Sequence, residues 1–202
     1  MTTLMTRLLA AAGLCLGLGW SAGAAATNYD FSTFMTDGQG YENATFGDLT
    51  MSSEAGNLKY VDSYGGGLFA GTGGDSDITF TFAHAVSNIS IRAGDGAGDA
   101  DAFGITAYAF GSNALLGTWY SPTFGTNPNN QWYTFSIPAA NVGRIVFDPC
   151  NSANCPGHLG GFGGVVVTDL NVTAVPEPET YGMLLAGLGV MGAAARRRRN
   201  AA

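Results

Sequence analysis

Positive charge is scarce in the body of this chain, and the scarcity limits what it can bind. Between Thr27 and Ala174 the basic residues are Lys59, Arg92 and Arg144, set against thirteen Asp and Glu. Nucleic acid is excluded as a partner, because no basic stripe exists to neutralise phosphates. Histidine is almost as rare. His84 and His158 stand in no nucleophile, base and orienter pattern, and Gly-x-Ser-x-Gly is absent. Nothing in the sequence marks one carboxyl as desolvated beside a charged partner, so a two-carboxylate hydrolase has no signature either. The expectation is a body that is not an enzyme. Helical stripes and capping patterns are also missing there. The glycine clusters Gly65 to Gly67, Gly73-Gly74 and Gly160-Gly161 therefore precede no helix N-terminus that would cradle a phosphate.

What is present is strand signal. Ile78-Thr-Phe-Thr-Phe82 alternates apolar and polar with a period of two, as do Ile89 to Ile91, Tyr133 to Ile137 and part of Val165 to Val172, the pattern of half-buried strands. Thr45 to Ser52, Leu58 to Asp62, Leu68 to Gly71, Phe103 to Phe110, Leu115 to Tyr120 and Arg144 to Asp148 are further candidates, with Gly, Asn, Asp and Pro between them. Short strands recurring at about ten-residue intervals predict an all-β body. An antiparallel, jelly-roll-like β-sandwich is expected, with a barrel as the other way to close such a chain.

Two constellations carry possible chemistry. Asp95, Asp99 and Asp101 stand within seven residues on a Gly-rich segment. Three carboxylates converging there would suit Ca²⁺, which takes six to eight oxygens, and Asp75, Asp77, Asp148 or Asp169 would add more. The spacing is not that of an EF-hand. The alternative is a solvated turn in which Asp side chains cap backbone N–H groups. Trp119-Tyr120 and Trp132-Tyr133 flank a loop rich in Pro and Asn. Trp119 and Trp132 would either form an aromatic platform for a polysaccharide or plug the core, and alternation turns one member of each pair outward in both cases.

The two ends differ from the body. Met1 to Arg7, the apolar Leu8 to Trp20 and the small residues Ser21 to Ala26 read as a secretory signal peptide over residues 1–26, cut after Ala24 or Ala26 by a signal peptidase. A β domain over residues 27–174 would follow, long enough for its own core. At the far end stand Val175, Pro176, Glu177 and Pro178, the apolar run Tyr181 to Ala195, and Arg196, Arg197, Arg198 and Arg199. The run holds fifteen residues where a spanning helix needs about 20. A short transmembrane helix with a transient hold is expected, the arginines acting as a stop on the cytoplasmic side.

The ordered elements Val175-Pro-Glu-Pro178, the run containing Leu184 to Gly189 and the closing arginines, paired with a signal peptide, resemble the PEP-CTERM sorting tail of Gram-negative bacteria. The resemblance assigns residues 175–202 to the tail and implies an exosortase as partner. Cleavage would fall near Pro176-Glu177-Pro178, followed by transient passage through the inner membrane and release to the cell surface or an exopolysaccharide matrix. Two prolines suit that role, since they bias the segment toward extended geometry before it meets a protease groove. The stretch Asp99 to Gly117 is loosely similar to sandwich domains of proteins with such tails, which implies a carbohydrate-binding-module-like jelly roll.

Export bears on cysteine. Cys15 would leave with the signal peptide, and Cys150 and Cys155 would form a short-loop disulfide in an oxidising compartment. A metal site of Cys150, Cys155 and His158 is the rival, and it lacks a clear fourth ligand. The expectation is a non-catalytic exported surface or matrix protein, with a lectin-like, possible Ca-stabilised module as the alternative.

Overall fold

The computed structural model describes residues 25–54, 56–62, 65–71, 76–94, 100–125, 131–149, 165–176 and 178–200. Ala26–Val175 form one compact unit, and the segment from Pro176 onward belongs to a second.

The first unit is the expected antiparallel β-sandwich, jelly-roll-like and without a helix longer than one turn among its described residues. Its strands are β1 (Ala26–Asp30), β2 (Gly40–Tyr41), β3 (Asn43–Phe46), β4 (Leu49–Ser53), β5 (Leu58–Val61), β6 (Gly67–Ala70), β7 (Ile78–Gly94), β8 (Gly104–Ala109), β9 (Leu115–Tyr120), β10 (Trp132–Ile137), β11 (Val142–Asp148) and β12 (Val166–Ala174). A single 3-10 turn, Phe31–Thr33, follows β1, capped by the Asp30 carboxylate accepting from the Ser32 N–H at 3.0 Å.

The long strand β7 belongs to both layers. Its first half, Ile78 to Phe82, lies between β4 and β11, and that sheet continues through β8 to β9. Its second half, Val86 to Gly94, lies between β10 and β12, and β12 is flanked on its other edge by β1 and β6. Sequence reading divides β7 into two strands because the alternation breaks in the middle. Ile78, Phe80, Phe82 and Val86 are buried, and after Asn88 burial moves to Ile89, Ile91 and Ala93. Asn88 takes a φ of 50° at this point, and the ladder with β12 shifts between Asn171 and Thr173. One extra residue changes the parity of every side chain that follows, so the strand leaves one layer and still faces the core in the other.

The core is a single cluster to which Phe80, Ile145 and Phe147 contribute from one sheet and Ile89, Ile91 and Leu170 from the other. Phe103 meets Phe147 with ring centroids 5.2 Å apart, and Phe124 stacks on Tyr133 at 5.6 Å. Each such ring, once buried, contributes about 1.5–3 kcal/mol of transfer free energy. At the margin the Tyr29 hydroxyl of β1 donates to Asp48 in the β3–β4 turn. Burial first, and then this bond to Asp48, raises the phenol above its ordinary range.

Candidate functional site

Of the sorting segment, Val175 closes the sandwich and Pro178 opens a helix, α1 (Pro178–Asn200). Glu177 lies outside the described residues. Pro suits the first helical position, where its missing N–H would have had no intrahelical partner. Arg197, Arg198 and Arg199 fall in the last turn, where cations favour the negative end of the helix dipole. Leu184, Leu185 and Val190 are exposed, so α1 has no polar side that water would select.

The expectation of a transmembrane helix is corrected. Among the described residues no helix is long and apolar enough to cross a membrane. The apolar run of fifteen residues gives about 22 Å of helix at 1.5 Å per residue, against about 30 Å of hydrocarbon.

Upstream, Val175 is hydrogen-bonded to the sandwich. The Val175 N–H donates to the Ala85 carbonyl at 2.8 Å. Ala174 pairs with Val86 across β7, and on the opposite edge Thr173 pairs with Ala26 of β1. The strand ends at Ala174 and one further backbone hydrogen bond reaches Val175, beyond which Pro176 has no N–H to continue a ladder.

The structure does not bring the two tryptophans to one face. Trp119 pairs with Ile105, which is fully buried, and residues opposite one another in a ladder share a face. It points inward at the rim of the first sheet and packs against the core. A Cβ on Gly117 would stand 2.7 Å from its indole. Its neighbour Tyr120 points outward and is 38% exposed. In β10 the parity is reversed. Ile137 is buried and Phe135 and Tyr133 pack on the core, so Trp132 lies on the outer face of the second sheet. The Arg92 guanidinium sits 4.9 Å from its ring centroid and 3.8 Å from Asp169. Gly65 and Gly94 approach the same indole so closely that a Cβ on either would come within 3 Å of it. The other outward arginine is used in the same way, with Arg144 stacked 3.6 Å over Tyr108 and donating from Nε and Nη2 to the Asn113 amide oxygen at 3.2 and 3.0 Å.

Of the proposed Ca²⁺ ligands, Asp95 and Asp99 lie outside the described residues, as do Cys150, Cys155 and His158. Asp101 is 4% exposed, which does not fit a solvated turn. Its backbone exchanges two hydrogen bonds with Phe124, at 2.8 and 2.9 Å. Among the described residues no group of three or more His, Cys, Asp or Glu is placed to hold a metal ion. His84 is exposed on the bend of β7.

Sequence reading names Asp77 and Asp148 as further Ca²⁺ oxygens and misses that Asp77 is a perturbed acid. Ile78 pairs with Phe147 and with Ser53, so Asp77, Asp148 and Glu54 meet at adjacent strand ends. Burial, then the charges of Asp148 and Glu54, push the Asp77 carboxyl up from 3.8 to about 6. The residues are separated by 23 and 71 positions in the chain, and only the ladder register reveals their neighbourhood.

Comparison with known proteins separates the tail from the body. Residues 174–199 match the family model of the PEP-CTERM protein-sorting motif, so the chain carries that motif. No curated protein matches the chain. Several solved structures show a distant similarity to the chain. A truncated AlyQ with CBM32 and alginate lyase domains is 14% identical with a TM-score of 0.34, and covers 77% of this chain, which spans 35% of it. The family 32 CBM from C. perfringens NanJ, in complex with galactose, is 16% identical with a TM-score of 0.32, and the match covers 74% of this chain and 92% of that one. A GH31 CBM32-2 bound to GalNAc is 11% identical with a TM-score of 0.32, and the match covers 77% and 100%. None of them lends this chain a ligand.

Proposed function

We propose that a chain carrying the PEP-CTERM motif at residues 174–199 is a non-catalytic exported protein of a Gram-negative bacterium, processed by an exosortase and destined for the cell surface or an exopolysaccharide matrix. The observation that carries the reading is the ordered tail itself, a Pro-Glu-Pro sequence, an exposed apolar helix and four arginines near the end of that helix. The arginines would hold the end of α1 at the cytoplasmic side of the inner membrane, since moving them through hydrocarbon is costly. The apolar run, too short to span the hydrocarbon by itself, would lodge there only transiently. At the other end a signal peptidase would cut after Ala24, because a cut after Ala26 would remove the residue that pairs with Thr173. The test is fractionation of cells that possess the peptidase. The parent chain is expected in the matrix fraction and a Pro176→Ala, Pro178→Ala double variant in the membrane fraction. Equal release of both would defeat the proposal.

A lectin-like role is the second reading, and the observation favouring it is the outward Trp132 beside Arg92 and Asp169, whose side chains are 43% and 28% exposed. A guanidinium stacked over an aromatic ring, with a carboxylate beside the guanidinium, puts a donor and an acceptor next to apolar surface, the combination that sugar sites use. Affinity electrophoresis in matrix polysaccharide would show retardation abolished by Trp132→Ala and kept in a folded Trp119→Ala variant. Equal mobility with and without polysaccharide rejects this reading.

A further inference from the structure

The sorting motif begins where the sandwich ends, with no spacer between them. Val175 is bonded through its N–H to Ala85, Ala174 is in register with Val86, and Thr173 is held by β7 on one edge and β1 on the other. A protease reads its substrate as an extended strand, hydrogen-bonding the backbone on both sides of the scissile bond. On the downstream side this segment has little to offer, since Pro176 and Pro178 have no N–H. The nearest backbone donors upstream are those of Ala174 and Val175, and the Val175 N–H is spent on the fold.

From this we infer that Ala174 and Val175 serve two structures in turn, the last rung of β12 with the hydrogen bond just beyond it, and the upstream half of the exosortase recognition segment, so that the folded body withholds its own processing site. The inference rests on the sorting reading. Cutting then requires the end of β12 to fray from Ala85 and Val86, an opening of the low-cost kind that strand termini undergo. The body sets the rate at which the tail is removed, and a better-anchored β12 delays release. Gly or Ser residues after Val175 would separate the two roles.

The experiment compares the full parent chain with a variant carrying about six Gly and Ser residues and a repeated valine between Val175 and Pro176, a flexible insert of this length reaching about 13 Å. Both are followed by pulse-chase in cells that hold the matching peptidase, and the melting midpoint of each body is measured. The insert lies beyond the last rung, so the midpoints are expected to agree. The spacer variant is expected to be cut roughly tenfold faster, the factor expected when opening costs about one or two ladder hydrogen bonds. An equal or slower rate at equal midpoints overturns the inference and leaves the sorting reading standing. If neither chain is cut, the sorting reading fails and takes this inference with it.

Discussion

The sandwich and the tail use glycine for opposite purposes. In the body, a Cβ on Gly94 would lie 2.1 Å from the Gln131 carbonyl oxygen, and one on Gly65, whose φ is +85°, would lie 2.4 Å from Trp132. Those glycines exist because something passes too close for a side chain. In α1, a Cβ on Gly182, Gly187, Gly189 or Gly192 meets nothing within 4 Å. Each of those costs a water-exposed helix about 1 kcal/mol relative to Ala. The body is specified by close packing, and the tail keeps a helix that its exposed glycines weaken. On the sorting role proposed for it, the segment has no need of helical stability.

The sharpest way to break this comparison is to add the missing methyl in each region. Gly94→Ala should destabilise the sandwich by about 3 kcal/mol, the upper range of overpacking costs, and lower its melting midpoint by roughly ten degrees. A midpoint within a degree of the parent would show that the close approach is not structural. The acidic strand ends provide an intermediate effect. Because the folded Asp77 carboxyl is raised from 3.8 to about 6, the folded state binds the proton more tightly than the unfolded chain. This group's stabilisation is therefore complete below about pH 4 and lost as pH rises through 6. Asp77→Asn should stabilise the body at pH 7 by about 1 kcal/mol after solvent screening, and the gain should vanish near pH 4. A gain independent of pH would refute the electrostatic cause. Smallest is Gly189→Ala, expected to leave the melt of the body unchanged while raising helical circular dichroism of the full chain slightly.

Much of the sandwich is legible in the sequence because half-buried strands declare themselves by period two. Tyr133 to Ile137 and Ile78 to Phe82 are found at those positions. The continuity of β7 is hidden because Asn88 changes the parity, and a break in alternation looks like a loop. β1 is hidden for a different reason, since Ala26 to Asp30 has little apolar content and gains its place by pairing with β12. The orientation of Trp119 and Trp132 was not legible either. Both head a Trp-Tyr pair, yet one pairs with buried Ile105 and the other with Gly94, so identical dipeptides face opposite ways. The tail is legible as an ordered set of residue types, Pro-Glu-Pro, apolar run and arginines, and this is the part the family model also matches.

Intact-mass measurement of the mature protein, recovered from cells that keep the matching peptidase, tests the central claim most directly. The account predicts a chain ending near Pro176 to Pro178, without α1 or Arg196 to Arg199. A mass that still includes α1 and the four arginines would contradict it.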